Sequence, residues 1–308
     1  LYGNQEILYK DIQRAFDLSM FIQASCVSLA GLLPSVTSYG HRLKHVGSQN
    51  DSFKGFTTGH ATTTAAVVMM IEQCMHYFER RFSDETVGFL GLGSIGSSVL
   101  DLFLYCCDHP KKIILCDVVT SKEKLRFLEI HLRDIGYLGE IEIVLSEGQT
   151  PKLFYSATLI IGATNVANCL DIESLLPGTM VIDDSIPHCF DVAKAWNRMR
   201  LSKDVLCVEG GMLKAASPIK EWRFCPSTFQ LKKDKMPQLF WKRDEYEITS
   251  CILSGLLTAL YDNLKPVLSI PSLDVSLKHY DILKQEGFSA ADFRLEGQKV
   301  PHDVMFSI

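Results

Sequence analysis

A glycine-rich hexapeptide in the middle of the chain constrains its fold more than any other feature. Residues 91–96 read Gly-Leu-Gly-Ser-Ile-Gly, and they join the short apolar segment 86–90 to a longer apolar run that continues to Cys107. The first segment has the length of a buried strand, and the second has the length of a helix. A strand, a GxGxxG loop and a helix in this order are typical of a dinucleotide-binding unit.

The positions of this loop have distinct predicted parts in binding a dinucleotide. Gly91 permits the tight turn, Gly93 lets the pyrophosphate approach the backbone, and Gly96 lets the helix and the strand pack closely. The peptide N–H groups at the start of the helix, around Ser94 and Ile95, are expected to face the phosphates. A glycine-rich turn without a nucleotide is the alternative interpretation.

An acidic residue follows at the spacing that such a unit uses. Residues 112–116 are predicted to form the next strand, and Asp117 stands at its end, about 20 residues beyond the last glycine. A carboxylate there accepts hydrogen bonds from the adenosine ribose and repels a 2′-phosphate, which favours NADH over NADPH. Lys122 and Lys124 follow closely and would attract that phosphate, so both cofactors stay open. The alternative for Asp117 is a surface turn.

The segments beyond this unit predict more strands of the same sheet. Apolar runs at 141–145, 158–161, 180–182 and 205–208 alternate with segments long enough for crossover helices, one of them at 121–134. This alternation indicates an α/β fold with a parallel, doubly wound sheet of the Rossmann type.

Loops after the later strands are predicted to flank the nicotinamide half of the cofactor, because ligands bind at the carboxyl ends of the strands. Thr164 and Asn165 follow one strand and Gly210 follows the last, and we assign all three to cofactor binding. Asp184 and His188 follow the strand between them. For these two residues, a turn role and a ligand-binding role are equally supported.

The flanking segments predict a second, mainly helical domain. Residues 1–82 and 220–308 form this substrate or catalytic domain, and the Rossmann domain at 83–219 is inserted between its two halves. Helices are expected at 244–264 and 273–287. A cleft between two such domains is a common place for a ligand site.

Two other segments are interpreted from their composition. Residues 18–40 carry no charged side chain, but Pro34 and several serines and threonines interrupt them. We therefore predict a buried helix leading into a polar loop, and no membrane span. Residues 224–243, rich in Lys, Pro and aromatic side chains, are predicted to be a connection or an exposed loop.

Charge and cysteine usage limit the partners. The 308 residues carry 31 basic and 36 acidic side chains, and a net charge of -5 provides no field for a phosphate backbone. We therefore expect no nucleic-acid partner. The ten cysteines are scattered without a CxxC pair or a Cys/His cluster at zinc spacing, so we expect a reducing, cytoplasmic compartment and no metal.

Cys251 is the leading catalytic candidate outside the predicted sheet. It stands near the start of an expected helix, and Gly255 and Thr258 lie on its helical stripe, where small side chains would leave room for a substrate. A free cysteine is commonly a small buried hydrophobe, which is the alternative. Three acidic residues upstream would oppose thiolate formation: Asp244, Glu245 and Glu247.

Several motifs, in order along the chain, resemble those of the cyanobacterial long-chain acyl-acyl-carrier-protein reductases. The segment at 249–257 is similar to the FACFAEAMLL stretch that carries the acylated cysteine of that family. The other similar segments are FTTGHATTTA at 56–65, VIDDSIP at 181–187, VEGG at 208–211 and KQEGF at 284–288.

The resemblance covers roughly residues 20–295 and implies a distant member of the family or one domain of a larger synthase. It implies an NAD(P)H-dependent reductase that takes an acyl thioester from a carrier protein or coenzyme A, holds the acyl group on Cys251 and releases an aldehyde. The family favours NADPH, and its glycine loop reads GATGDIG and lacks the acid seen here as Asp117.

His60 is the second catalytic candidate, although the family has an asparagine at this position. Beside the expected helix cap Thr58, its imidazole would donate a hydrogen bond to a developing oxyanion, and a role in the helix cap is the alternative.

Two other functions remain open. One is a shikimate-dehydrogenase-like oxidoreductase without a covalent intermediate, and the other is a nucleotide-sensing or carrier-binding module without turnover. A homo-oligomer also stays open.

Overall fold

The computed structural model describes residues 5–43, 53–220 and 244–302, in which strands and helices alternate through the middle of the chain. The α-helices of these ranges are α1 (Gln5–Phe21), α2 (Leu33–Val36), α3 (His60–Tyr77), α4 (Ser94–Cys106), α5 (Lys122–Asp134), α6 (Val192–Leu201), α7 (Ser250–Leu260) and α8 (Leu273–Gln285). The strands are β1 (Val27–Ser28), β2 (Phe56–Thr57), β3 (Thr86–Leu90), β4 (Lys112–Val118), β5 (Glu140–Ser146), β6 (Leu159–Gly162), β7 (Thr179–Asp183), β8 (Val205–Glu209), β9 (Met212–Lys214), β10 (Glu247–Thr249), β11 (Ser289–Ala290), β12 (Arg294–Leu295) and β13 (Gln298–Lys299).

Six parallel strands form the central sheet in the order β5-β4-β3-β6-β7-β8. The chain enters at β3, adds β4 and β5 toward one edge, and then returns to add β6, β7 and β8 toward the other edge. This is the Rossmann order, with its switch point between β3 and β6. The predicted α/β, doubly wound fold is therefore confirmed.

The central strands form where the sequence is continuously apolar. All five residues of β3 are buried, with Val87 and Phe89 fully enclosed. Such strands need cover on both faces, which explains why no alternation of polar and apolar residues interrupts them. Helix α3 provides part of this cover, because its residues 61–71 are all buried and it packs against α4, α7 and α8.

One apolar core runs continuously from the sheet through α3 and into α7 and α8. A smaller cluster surrounds α1, β1 and β2, and contains Ile12, Phe16 and Phe56. The two chain segments outside the sheet are thus packed onto it through α3. The domain boundaries at 83–219 stay a prediction.

The expectation of a helix over 244–264 is wrong at its start. Residues Glu247–Thr249 form strand β10, which pairs antiparallel with β9, and the helix begins only at Ser250. Pairing with a distant strand determines this backbone, and local pattern does not reveal it. The helix predicted at 273–287 is confirmed as α8, which ends at Gln285.

Residues 18–40 also differ from the prediction. Helix α1 ends at Phe21, whose side chain is 84% exposed, and Gln23 adopts a positive φ of 58°. A left-handed residue cannot continue a right-handed helix, so the predicted buried helix is wrong. Residues 1–82 are accordingly less helical than expected, since β1 and β2 lie within them.

Two expectations concern segments beyond these strands and helices. None of the helices in the described ranges is both long enough and apolar enough to cross a bilayer. The connection predicted at 224–243 lies outside the described residues.

Candidate active site

A cleft of about 420 Å³ opens at the carboxyl ends of β3, β4, β6 and β7. Its opposite wall is built by the loop before α2, the start of α3 and the start of α7. The cleft therefore lies at the switch point of the sheet, where ligands bind in open α/β folds. It brings together these residues predicted from the sequence: His60, Gly91, Gly93, Ser94, Ile95, Asp117, Thr164, Asn165 and Cys251.

The three glycines of the loop face different neighbours. A Cβ atom on Gly91, whose φ is +87°, would lie 2.6 Å from the carbonyl oxygen of Ala163. A Cβ on Gly96 would lie 2.0 Å from the carbonyl oxygen of Gly91, whereas one on Gly93 would meet nothing within 4 Å. Packing of the protein itself thus requires Gly91 and Gly96. The space over Gly93 is open to the cleft.

Asp117 is tied to the glycine loop through backbone donors. Its Oδ2 accepts a hydrogen bond from the N–H of Leu92 at 3.0 Å, and its Oδ1 accepts one from the N–H of Val118 at 2.7 Å. The ammonium of Lys124 donates to the carbonyl of Leu92. A carboxylate has further lone pairs, so these contacts leave Asp117 able to accept from a ligand.

Two residues predicted to bind the cofactor have other surroundings. Gly96 packs against the turn, as described above. Gly210 is buried, and a Cβ on it would lie 3.1 Å from the side chains of Val67 and Ile182. The cleft lining does not include Gly210, which instead permits α3 to approach β7 closely.

Thr164 and Asn165 are held at the cleft by the neighbouring loop. The N–H of Thr164 donates to Oγ of Ser185 at 3.0 Å, which joins the loop after β6 to the loop after β7. Asn165 is exposed. Their contact with a cofactor stays a prediction.

Cys251 lies in the first turn of α7, against the tight turn before α3. A Cβ on Gly59, whose φ is +77°, would lie 2.7 Å from Cα of Cys251. The hydroxyl of Ser28 donates to the carbonyl of Cys251 at 2.5 Å. The cysteine backbone is therefore held from two sides, and its side chain lines the cleft.

The pKa of the Cys251 thiol is raised, chiefly by burial and further by the negative charge of Asp184. The backbone N–H of Gly31 acts in the opposite direction and lowers it. The three upstream acids named in the sequence analysis are not among the causes. One of them, Glu247, is instead neutralised by Arg294, whose guanidinium lies 2.7 Å from its carboxylate.

The small residues of α7 do not provide substrate space. A Cβ on Gly255 would lie 3.1 Å from Cβ of Ser28, and Thr258 is fully buried. The stripe is therefore filled by packing against β1, and the prediction of a channel along it is wrong. The open space beside Cys251 lies on the side of the glycine loop.

His60 contacts the start of the dinucleotide helix. Its Nδ1 lies 2.8 Å from Oγ of Ser94, and its ring packs edge-on against Tyr39 at 5.6 Å between centroids. Burial lowers the pKa of His60 to about 4, so the imidazole is neutral near pH 7. The cap of α3 is Gly59 and makes no side-chain cap, so the expectation that Thr58 caps this helix is wrong.

Sequence reasoning did not assign several other polar groups that line this cleft. Asp184 had a turn role as its equal alternative. Thr58 is buried with an unpartnered hydroxyl, and the hydroxyls of Ser250 and Thr63 lie 3.0 Å apart. The one available signal was position, because Asp184 follows a predicted strand and Ser250 precedes Cys251.

Metal binding has no support in the described part of the chain. Over residues 5–43, 53–220 and 244–302, no three His, Cys, Asp or Glu side chains converge on a common point suitable for an ion.

No known protein family and no curated protein sequence matches this chain. Three solved structures are similar. The reductase of Δ1-pyrroline-2-carboxylate from Thermococcus litoralis, in complex with NADH and L-proline, shares 16% identity at a TM-score of 0.31 over 40% of this chain and 36% of its own. One of the chains of dipicolinate synthase from Bacillus halodurans shares 14% at 0.38 over 60% and 57%. Shikimate 5-dehydrogenase from Listeria monocytogenes, in complex with shikimate and NAD, shares 8% at 0.33 over 52% and 55%.

This chain thus spans less than two thirds of each of these proteins. At such values the likeness carries no inference about function, and the fold assignment depends on the strand order of the sheet.

Proposed function

We propose that this protein is an oxidoreductase that binds a nicotinamide dinucleotide in the cleft at the switch point. Three features of the chain fit that group: the open space over Gly93, the N-terminus of α4, and the carboxylate of Asp117. The first peptide N–H groups of a helix have no partner within the helix and attract a pyrophosphate. A reduced nicotinamide would supply hydride to a substrate in the same cleft.

We further propose that the substrate is an acyl thioester of a carrier protein or coenzyme A, reduced to an aldehyde through Cys251. The observation that carries this proposal is that one cleft contains both the glycine loop and the Cys251 side chain. The motif resemblance around 249–257 supports the same role. NADH and NADPH both stay open as the cofactor.

In the first chemical step, sulfur replaces sulfur at the acyl carbon. The Cys251 thiol loses its proton, the thiolate attacks the thioester carbonyl, and the carrier thiolate leaves and takes a proton. The products are an S-acyl cysteine and a free carrier thiol. Because burial raises the pKa of Cys251, we expect the acylation rate to rise with pH across the neutral range.

Other residues of the chain position the reacting groups. Gly59 and Ser28 hold the backbone of Cys251, and the neutral His60 is available as a hydrogen-bonding group near the loop. The unpartnered hydroxyl of Thr58 is a second candidate to receive or donate a hydrogen bond at the acyl carbonyl. Both roles concern the stabilisation of charge on oxygen.

Intact-mass spectrometry tests the acylation step without any cofactor. Incubation with acetyl-, hexanoyl- and dodecanoyl-coenzyme A should add one acyl mass to the wild type, on the peptide that contains Cys251. Cys251→Ala should lose both the adduct and aldehyde formation but should retain cofactor binding. Cys26→Ala is the matched control, because Cys26 is a half-buried cysteine outside the cleft lining.

A reductase without a covalent intermediate is the second candidate, and the raised pKa of Cys251 favours it. In that case Cys251→Ala would keep near-normal reduction of the thioester, or of a carbonyl substrate of the shikimate-dehydrogenase type. If the wild type binds NADH or NADPH but oxidises it with no thioester or carbonyl compound, a sensing module without turnover becomes the better account.

A further inference from the structure

We propose that Asp184 is a catalytic residue, the group that donates a proton to the carbonyl oxygen of the substrate as the carbonyl carbon is reduced. This inference rests on the proposed function and deepens it. It concerns the same cleft, but it depends on contacts of β7, β8 and α7 that the glycine loop does not involve.

The position of the carboxyl group is determined by the sheet. Asp184 directly follows β7, and its N–H donates to the carbonyl oxygen of Gly162 at 2.8 Å. A Cβ on Gly211 would lie 2.4 Å from Oδ1 of Asp184 and 3.5 Å from Oγ of Ser250. The carboxyl group thus occupies the space that a side chain at 211 would need, beside the first residue of α7.

This carboxyl group has no partner inside the protein. Across the described ranges, its oxygens take part in no hydrogen bond and no ion pair, although Asp184 is half-buried and lines the cleft. The adjacent Asp183 is different: its carboxylate accepts from His188 at 2.8 Å and from the N–H groups of Ser185 and Cys189. A buried polar group without a protein partner is available to a ligand.

The surroundings keep the proton on Asp184 near neutral pH. Burial raises its pKa to about 8, and the charges of Asp183 and Glu209 act in the same direction. His188 pairs with Asp183 and lies 4.0 Å from Glu209, so its charge is directed to those two groups. On α7, the neighbouring titratable group is the Cys251 thiol. A neutral carboxylic acid can donate a hydrogen bond and a proton, which a carboxylate cannot.

The step balances with the groups already named. The carbonyl carbon of the acyl-enzyme receives hydride from the reduced nicotinamide, the π pair moves to oxygen, and that oxygen takes the proton of Asp184. When the resulting hemithioacetal collapses, its hydroxyl proton returns to the Asp184 carboxylate, the carbon–sulfur bond breaks, and the Cys251 thiolate takes a proton from solvent. The net change consumes one hydride and one proton.

The first test needs no substrate. Thermal unfolding of the wild type and of Asp184→Asn is compared between pH 4 and pH 9. A carboxyl group whose pKa is higher in the folded state stabilises the fold in full below its unfolded pKa, near 3.8, and this contribution is lost as pH rises to about 8. The melting temperature of Asp184→Asn relative to the wild type should therefore increase steadily over that window. Parallel pH profiles of the two proteins would overturn the inference.

The second test separates acylation from reduction. Asp184→Asn should still form the S-acyl adduct with the acyl-coenzyme A probes and still bind cofactor, but its single-turnover reduction should fall by roughly 10²–10⁴-fold. The wild-type reduction step should slow above pH 8, and that decline should be absent in the variant.

The outcomes distinguish the two proposals. Normal reduction by Asp184→Asn would overturn this inference alone. Failure of the wild type to oxidise NADH or NADPH with any thioester would overturn the proposed function and this inference with it. Asp191→Asn is the matched control, because that aspartate follows the same strand but caps α6 outside the cleft.

Discussion

At the scale of single residues, neighbouring positions of the glycine loop have different requirements. Gly91 and Gly96 are needed because a Cβ would collide with backbone oxygens of the protein. Gly93 has no such neighbour, so the protein itself does not require glycine there. A requirement for glycine at 93 would therefore come from a ligand that approaches the backbone.

Gly93→Val should separate folding from cofactor binding. We expect a small loss of stability, about 1 kcal/mol, because valine is a poorer helix N-cap than glycine. Binding of NADH and NADPH should weaken by on the order of 100-fold or more, which corresponds to about 2.7 kcal/mol. Titration calorimetry and thermal unfolding measure the two effects. Gly96→Val is the control that should impair folding, and unchanged cofactor affinity in Gly93→Val would contradict the site assignment.

Asp117→Ser should change the choice between the two cofactors. The negative charge of Asp117 repels a 2′-phosphate, so its removal should shift the ratio of dissociation constants toward NADPH by on the order of tenfold for each 1.4 kcal/mol. Asp117→Asn keeps an oxygen that can accept from the N–H of Leu92, so it controls for loss of the loop anchor. A strong preference of the wild type for NADPH would contradict this interpretation of Asp117.

At the scale of secondary-structure elements, the position of Cys251 depends on the strand before its helix. Strand β10 pairs with β9, and its first residue, Glu247, is bound by Arg294 of β12. Both side chains of this ion pair are largely buried, with 5% and 14% of their surfaces exposed. The start of α7 is therefore held by two elements that are distant in the sequence.

Arg294→Met should destabilise the fold by about 3 kcal/mol, because it leaves the Glu247 carboxylate buried without its counter-charge. Urea unfolding measures the loss. Arg14→Met is the matched control, since Arg14 and Asp11 form an exposed pair that should contribute less than about 1 kcal/mol. Equal effects of the two substitutions would mean that the buried pair does not hold β10.

At the scale of the whole molecule, α3 and α8 connect the flanking segments to the sheet through buried polar contacts. His279 of α8 is fully buried, and its Nδ1 lies 2.9 Å from Oγ1 of Thr62 in α3. Its Nε2 has no partner. Burial lowers the pKa of His279 to about 4, so this interface contains a neutral imidazole.

Acid should therefore weaken the packing of α8 on α3. A histidine whose pKa is lowered by folding contributes stability above its unfolded pKa, near 6.5, and loses it as pH falls to about 4. The free energy of unfolding should fall by up to about 1.4 kcal/mol per pH unit from this one group. Urea unfolding of His279→Gln and the wild type between pH 4 and pH 7 measures the difference. An identical pH slope in both proteins would contradict the buried, neutral state.

The sequence alone determined the sheet and the glycine loop, because both depend on local patterns. Uninterrupted apolar runs predicted all six central strands to within two residues at each end, and a strand, a loop and a helix in order identified the glycine turn. Strand β10, the burial of Gly210 and the filled stripe of α7 could not be predicted in this way. Each depends on a partner far away in the chain: β9, Val67 and Ser28.

Tertiary structure likewise decided the chemistry of the cleft. Spacing placed His60 and Cys251 among the candidates, but their ionisation depends on how much water the surrounding elements exclude. Asp184 shows this most clearly, since its neighbours in the folded protein come from β7, β8 and α7. Desolvation and nearby charge act through space, and no run of adjacent residues encodes them.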